Sequence, residues 1–220
     1  FAELTFKNLI LFKMENLTTK QKILESAIRL FNWEDVANVR LQQIADETGI
    51  SVGNLAYHFK NKEAIVNAVY DGLFEEFAQI LSTYMSSPKL TDFDFQMEQY
   101  HRFFSKYKFY LIDLYEIERA YPQIMDRWRE CVNKMLLQIR KRLDYNVQRG
   151  ILHPEPRPGV YDTLTNDIWM TIVFWRPRQL LKAQPMDEML FKRAVWDHIS
   201  PHFTPKGLNE FHSELHHTFS

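Results

Sequence analysis

The chain has 220 residues, of which 45% are hydrophobic and 25% charged, fractions that are typical of a folded globular protein. The formal net charge of −1 excludes a protein that attracts nucleic acid by a strong overall positive charge, so any DNA contact must come from a local group of side chains. The single cysteine, Cys131, excludes an internal disulfide, and the apolar runs are shorter than the roughly 20 residues needed to span a bilayer. We therefore expect a cytoplasmic protein with no membrane partner.

The first 13 residues lack a basic leader, a long apolar run and a small-residue cleavage site, so no signal peptide is predicted. Met14 is expected to be the native start. Residues 1–13 are treated as an extension that takes no part in the predicted fold.

Apolar residues recur at spacings of three and four along nearly the whole chain, which predicts an all-α fold. Four helices are predicted before residue 85, at about 19–33, 41–48, 51–58 and 62–84. Thr18 or Thr19, Ser51 and Asn61 are suited to cap three of these helices, because their side-chain oxygens accept hydrogen bonds from free amides of the first turn. Gly49 ends the second helix.

Beyond Pro88 the pattern predicts a second helical set and a short tail helix after Pro201. The predicted helices cover about 92–107, 107–120, 123–149, 159–182 and 187–199. Pro177 is expected to kink its helix or end it early. The expected division is an extension at 1–13, a three-helix head at 14–62, a connecting helix at 63–85, and a larger body at 86–220.

The segment 41–59 has the pattern of a helix-turn-helix, in which two short helices joined by a tight turn present the second helix to the major groove. Ala45 is small enough for the helices to cross closely, and Gly49 tolerates the positive φ that such a turn requires. Apolar anchors follow at compatible spacing: Ile44, Ile50 and Leu55.

Three runs carry a resemblance: ILESAIRLF at 23–31, Ile44-Ala45, and GISVGNLAYHFKNKE at 49–63. Together they resemble the DNA-binding head of the TetR family of transcriptional regulators, over about residues 20–75. The resemblance implies a homodimer that pairs through its last two long helices and binds double-stranded operator DNA. It also implies a C-terminal body that binds a small-molecule ligand and thereby releases the operator.

On this resemblance, Val52, Gly53, Asn54 and Tyr57 face the groove, and the amide of Asn54 suits a base edge. Phosphate contacts are expected from Tyr57, His58 and Lys62. The complete set of expected DNA-binding residues is Arg40, Gln42, Gln43, Val52, Gly53, Asn54, Tyr57, His58, Lys60 and Lys62.

The head departs from the family pattern at three places. Asp35 replaces a common glycine, Arg40 replaces a hydroxyl cap, and Ala56 replaces a tyrosine. Residues 15–85 hold six Lys and Arg against ten Asp and Glu, although residues 51–62 hold no acid. Arg40, Ala56 and the acidic balance support an alternative, a helical ligand-binding or scaffold protein whose DNA-binding head is vestigial.

Aromatic residues are dense between 93 and 128, which indicates either an apolar ligand cavity or an ordinary helix-packing core. A hydrophobic or aromatic ligand is expected in the first case. The candidate ligand-binding residues are Tyr100, Phe103, Phe104, Tyr107, Tyr110, Tyr115 and Trp128. The candidate dimer-interface residues are Trp169, Phe174, Trp175 and Trp196, with burial inside one subunit as the alternative.

No catalytic motif or glycine-rich phosphate loop is present, so we expect neither an enzyme nor a cofactor. His198 and His202 have a spacing that can hold a metal on one helix face, as have His212 and His216. Pro201 disrupts the first pair and no further ligand pattern completes either site, so no metal is expected.

Overall fold

A computed structural model of the chain describes residues 17–83 and 88–215. It confirms the predicted all-α fold, since the described residues hold eleven α-helices and a single turn of 3-10 helix at Ser200–His202. Helices α1 to α11 cover Thr19–Glu34, Leu41–Thr48, Val52–His58, Lys62–Ser82, Leu90–Lys106, Phe109–Ile112, Leu114–Ala120, Pro122–Gln148, Val160–Leu181, Glu188–Ile199 and Pro205–Leu215. The β-structure of the described residues is one isolated antiparallel bridge, between Leu152 and Phe203.

The predicted N-caps are present at the start of α1, α3 and α4. Thr18 Oγ1 accepts a hydrogen bond from the Gln21 amide, and the Gln21 side chain bonds back to the Thr18 amide. Ser51 Oγ accepts from the Asn54 amide at 3.1 Å, and Asn61 Oδ1 accepts from the Ala64 amide at 2.9 Å. Helix α9 continues through Pro177 to Leu181, so of the two expected effects of this proline, a kink or an early end, the structure excludes the early end.

The chain packs as two compact units. The first, which we call the head unit, comprises residues 17–74 and 107–125 of the described chain. Its core includes Ile23, Phe31, Ile44, Leu55 and Tyr70, all buried. The domain division expected from the sequence, with boundaries at residues 62 and 85, assigned 107–125 to the body, whereas the structure packs these residues in the head unit.

The predicted helix over 107–120 is divided into α6 and α7 at Asp113, whose φ of −98° and ψ of 10° lie outside the helical region. The Asp113 carboxylate accepts a hydrogen bond of 2.8 Å from the Val36 amide, and the Phe109 amide donates one of 3.1 Å to Asn32 Oδ1. Both contacts are to α1 or the residues just after it, so a partner distant in sequence fixes the break.

The second unit, called the body unit here, comprises residues 75–83, 88–106 and 126–215. Helices α5, α9 and α10 pack against one another, and α11 packs against α5. Lys192 on α10 forms a buried ion pair of 2.9 Å with Asp94 on α5, and Trp196 Nε1 donates to the same carboxylate at 3.0 Å. These contacts join α5 and α10, which form part of the wall of the cavity described below.

Candidate nucleic-acid interface and ligand site

The turn between α2 and α3 has the geometry that the sequence predicts. Gly49 adopts φ 76° and ψ 32°, a left-handed conformation that favours glycine. The Ile50 amide donates to the Ala45 carbonyl at 3.0 Å, which closes the end of α2. Ala45 is fully buried, so a larger side chain here would force the packed helices apart.

Helix α3 has one buried anchor and a polar outer face. Leu55 is fully buried, and Phe59 just after the helix is also buried. Tyr57 is 86% exposed, and its ring contacts the His58 ring edge to face at 5.2 Å. The remaining expected contact residues of this segment are exposed (Gly53, Asn54 and Lys60) or half-buried (Val52 and His58).

Neither packing nor backbone conformation in the described part of the chain requires a glycine at position 53. A methyl group added there would meet only Ser51 Oγ, at 3.8 Å, and its backbone φ is not in the left-handed region. Since glycine within a helix costs about 0.5–1 kcal/mol relative to alanine, the fold alone favours a larger residue. The open space above Gly53 lies on the exposed side of α3 and admits a closely approaching partner.

Both glutamines among the expected contact residues are engaged within the chain. Gln43 Oε1 accepts a hydrogen bond of 2.7 Å from the Arg40 amide, and Gln43 Nε2 donates to Glu34 at 2.7 Å. Gln43 therefore satisfies the Arg40 amide, and both polar atoms of its side chain are engaged within the chain rather than directed to DNA. Gln42 Nε2 donates to Asp46 at 2.7 Å, and Arg40 is exposed.

Lys62, at the start of α4, donates a hydrogen bond of 2.8 Å to the Ala37 carbonyl. Burial lowers the pKa of its ammonium, while the negative charges of Asp35 and Asp113 act in the opposite direction. An ammonium has three donors, so this contact orients Lys62 and leaves it capacity for a phosphate. The interaction ties α4 to the α1–α2 connection.

That connection contains Asp35, at φ 75° and ψ 164°, a region that glycine occupies far more readily than other residues. Its carboxylate accepts hydrogen bonds of 2.8 Å from the amide and the Nδ2 of Asn38. The two bonds hold the turn in this conformation although the sequence supplies no glycine.

The expected ligand-binding aromatics fall in both units. In the body unit, Tyr100, Phe103, Phe104 and Trp128 are buried around Phe77, with ring centroids 5.1–6.3 Å from it. Rings at these distances fill the space between the helices, so this group forms a packed aromatic core.

Three further candidates lie in the head unit. Tyr107 and Tyr110 are buried, and burial raises the pKa of the Tyr110 hydroxyl well above its ordinary value. Tyr115 is 78% exposed, so its ring does not line an enclosed cavity within this subunit.

A cavity of about 20 Å³ lies in the body unit between α5, α8, α9 and α10. Apolar side chains form most of its wall, among them Phe93, Ile139 and Leu143. Lys89, Arg142 and Asn146 are its polar members. None of the seven aromatics expected to bind ligand belongs to this wall. The prediction failed because the spacing of aromatic residues in a sequence does not show where the folded helices leave a space.

Two of the expected interface aromatics are buried within the subunit. Trp175 packs on Phe191, and Trp196 packs on Phe93 and Phe211. This corrects the expectation for these two residues, because a ring that is covered by its own subunit has little surface left for a partner. Trp169 and Phe174 are half-buried, with their rings in edge-to-face contact.

Exposed apolar side chains cluster instead where α9 ends and α10 begins. They are Leu180, Leu181, Met186, Met189 and Leu190. A group of exposed apolar side chains of this kind is typical of a protein–protein contact.

The described residues contain no group of three His, Cys, Asp or Glu side chains placed to hold a metal ion. His198 Nε2 is 2.8 Å from Thr171 Oγ1, and His216 lies outside the described residues. Among residues 17–83 and 88–215, every helix is too short or too polar to cross a bilayer.

Two family models match the chain. The model of bacterial regulatory proteins of the tetR family matches residues 23–69, and the model described as bacterial transcriptional repressor matches residues 74–211. Among curated proteins, YttP, a probable HTH-type transcriptional regulator of Bacillus subtilis (strain 168), is 30% identical over 71 residues, which are 32% of this chain and 34% of YttP. The HTH-type transcriptional regulator AcrR of Shigella flexneri is 34% identical over 59 residues, 27% of each chain. The chain thus spans about a third of the length of these curated relatives, or less.

Solved structures match over almost the whole fold. A TetR-family transcriptional regulator from Marinobacter aquaeolei VT8 superposes with a TM-score of 0.77 at 24% identity, covering 89% of this chain and 96% of that one. SmeT, the repressor of the Stenotrophomonas maltophilia multidrug efflux pump SmeDEF, gives 0.60 at 18% identity, covering 86% and 92%. At these identities the likeness establishes the fold.

Proposed function

Because the chain belongs to the TetR family of bacterial regulatory proteins, we propose that it is a transcriptional repressor. It binds a palindromic operator as a homodimer and leaves the operator when a small organic molecule binds the body unit. The observation that carries the proposal is the outer face of α3, where Gly53, Asn54 and Tyr57 are exposed beside the buried anchor Leu55.

Each exposed group on α3 has a defined chemical part in this proposal. Asn54 offers a donor and an acceptor in one plane, the pair that reads adenine in the major groove. Tyr57 offers a hydroxyl for phosphate at the edge of the groove, and Lys60 adds a charge there. In the homodimer the two copies of α3 lie about 34–36 Å apart, one turn of DNA.

The ligand response is supported by the fold. SmeT has also been solved in complex with triclosan, so a protein of this fold holds a small organic molecule. Dimerisation is supported by the exposed apolar side chains at the α9–α10 connection.

The test is a gel-shift titration with DNA that flanks the protein's own gene, followed by footprinting of the shifted band. The wild type is expected to protect a palindrome. Asn54→Ala is expected to weaken binding about 10- to 100-fold, because a bidentate base contact contributes about 1–3 kcal/mol. Tyr57→Ala is expected to weaken it less, and Tyr115→Ala, which removes an equally exposed tyrosine elsewhere, is the control.

A ligand-binding protein with a vestigial head is the second candidate, favoured by the acidic balance of residues 15–85 and by the internal engagement of Gln43. It predicts no footprint at low salt with any DNA from the neighbourhood of the gene. It also predicts identical behaviour of the wild type and Asn54→Ala, and either result would count against the repressor.

A further inference from the structure

The cavity of the body unit differs from the apolar ligand site that the sequence suggests, because a permanent positive charge lies in its wall. Arg142, within the last two turns of α8, is only 4% exposed. Arginine remains protonated under all physiological conditions, so its charge is buried with it. A guanidinium in the wall of a cavity is suited to recognise an anion that enters it.

The guanidinium is held in a fixed orientation. Arg142 Nη2 donates a hydrogen bond of 3.0 Å to Gln96 Oε1, and Gln96 Nε2 in turn donates to the Ile80 carbonyl at 3.0 Å. The Phe93 ring lies 5.1 Å from the guanidinium carbon, a cation–π distance. The planar group is thereby positioned before any ligand arrives, which reduces the entropy lost on binding.

The charged side chains in the cavity wall are positive. Lys89 is exposed and also belongs to the cavity wall, and the described residues that line the cavity include no aspartate or glutamate. Phe93 lies between two aspartates. The Asp92 carboxylate accepts a hydrogen bond of 2.9 Å from the Lys89 amide, and the two oxygens of Asp94 are bonded to Lys192 and Trp196. The cavity therefore attracts an anion and repels a cation.

The rest of the wall is hydrocarbon, contributed by side chains such as Ile139, Ile168 and Ile199. We propose that this cavity binds a small organic carboxylate, whose charged group pairs with Arg142 and whose apolar part packs against these side chains. A guanidinium fork matches a carboxylate through two parallel hydrogen bonds, and apolar walls favour an anion with a hydrocarbon part over inorganic phosphate. The inference rests on the proposed ligand response and specifies the chemical class of its ligand.

The volume of about 20 Å³ is little more than a single water molecule requires, so the cavity does not hold the apolar part of a ligand. Entry of that part has to displace side chains of α5, α8, α9 or α10. Because a close-packed interior passes such displacements to neighbouring groups, binding changes the packing of the body unit. This is the kind of change that a ligand-responsive repressor requires.

The experiment compares charged and neutral ligands of equal shape by isothermal titration calorimetry on DNA-free protein. The probes are benzoate and hexanoate, each paired with its amide, benzamide and hexanamide. We expect at least one carboxylate to bind about tenfold or more tightly than its amide, because a hydrogen bond to a charged group is stronger than a neutral one. Arg142→Gln is expected to abolish that preference.

Lys141→Gln is the matched control, since it removes the same charge from the adjacent, exposed position of α8. It is expected to retain the preference for carboxylates. Melting curves without ligand establish whether Arg142→Gln is folded, and Arg142→Lys, which keeps the charge but loses the fork, is expected to bind with intermediate affinity. The inference is overturned if no carboxylate binds, if the amides bind equally well, or if folded Arg142→Gln keeps the preference.

The same carboxylate is then added to the operator complex in the gel-shift assay. Release of DNA supports both the carboxylate site and the repressor function. Binding that depends on Arg142 without release of DNA supports the carboxylate site and contradicts the proposed ligand response. Operator binding by a protein that ignores carboxylates contradicts the carboxylate site alone.

Discussion

The carboxylate of Asp113 accepts a hydrogen bond of 2.8 Å from the backbone amide of Val36, a residue 77 positions earlier in the chain. The contact joins the α6–α7 break to the residues between α1 and α2, inside the head unit. Burial raises the pKa of the Asp113 carboxyl from 3.8 to about 6, although the Val36 hydrogen bond and the Lys62 charge act in the opposite direction. The head unit therefore contains a carboxyl group that titrates close to physiological pH.

This pKa shift predicts that the stability of the head unit depends on pH. Between about pH 4 and pH 6 the folded chain binds more protons than the unfolded chain, so the free energy of unfolding falls as pH rises. Asp113→Asn carries no titratable group and lacks this component. In urea unfolding, the stability of Asp113→Asn relative to wild type is expected to rise by about 2 kcal/mol between pH 4 and pH 7.

Asp167→Asn, an exposed acid on α9, is the control and is expected to show a smaller change relative to wild type. A constant stability difference between Asp113→Asn and wild type over this pH range would contradict the assignment.

Features of the fold that depend on neighbours in sequence were accessible to prediction. Thr18, Ser51 and Asn61 bond to amides three residues ahead, and the conformation of Gly49 follows from the close turn it occupies. A periodic pattern and a cap residue contain this information without reference to the rest of the molecule.

Features that depend on distant partners were not accessible. The break at Asp113 depends on Val36, and the burial of Trp196 depends on Asp94, 102 positions earlier. The cavity beside Arg142 depends on side chains from four helices, and no local pattern indicates that a space remains between them. The bond from the Arg40 amide to Gln43 is an intermediate case, since its partners are only three residues apart but the capping-box pattern also requires a hydroxyl that Arg40 lacks.

The buried ion pair between Lys192 and Asp94 is expected to be costly to break. Lys192→Met leaves a buried carboxylate with the Trp196 indole as its remaining strong contact, which predicts a loss of about 3–5 kcal/mol. The double variant Lys192→Met/Asp94→Asn is expected to recover part of that loss, because the uncompensated charge is gone. Urea unfolding measures both, and equal stabilities of the single and double variants would show that charge is not the cause.

Gly207 on α11 marks a close approach of two segments of backbone. A methyl group at this position would lie 2.1 Å from the Ile151 carbonyl oxygen, a distance that requires the helix to move. Gly207→Ala is therefore expected to destabilise the protein by more than about 2 kcal/mol in thermal or chemical unfolding. Wild-type stability in this variant would mean that α11 does not pack on Ile151.

The apolar end of the α9–α10 pair predicts where the subunits meet. Leu181 is 88% exposed in the single chain, so a lysine there should cost little in the monomer. Leu181→Lys is expected to raise the dimer dissociation constant at least about tenfold, because a charge is then buried against apolar surface. Light scattering over a concentration series measures this shift.

Leu137→Lys introduces the same change at an exposed leucine of α8 and should leave the dimer intact. Equal dissociation constants for the two variants would place the subunit contact elsewhere.

A substitution at Gly53 is expected to affect folding stability and operator binding in opposite directions. Gly53→Ala is expected to stabilise the head unit by about 0.5–1 kcal/mol, because the added methyl group meets no close neighbour and the helix loses less entropy on folding. The same methyl group lies on the outer face of α3 and is expected to weaken operator binding at least about tenfold by holding the helix away from the groove. Gly72→Ala on α4, where the methyl group also has open space, is the matched control and should stabilise the chain without affecting the gel shift. If Gly53→Ala is more stable but binds the operator less tightly, the glycine is explained by the close contact with DNA that it permits. Tight operator binding by Gly53→Ala would instead show that α3 does not approach DNA at this point.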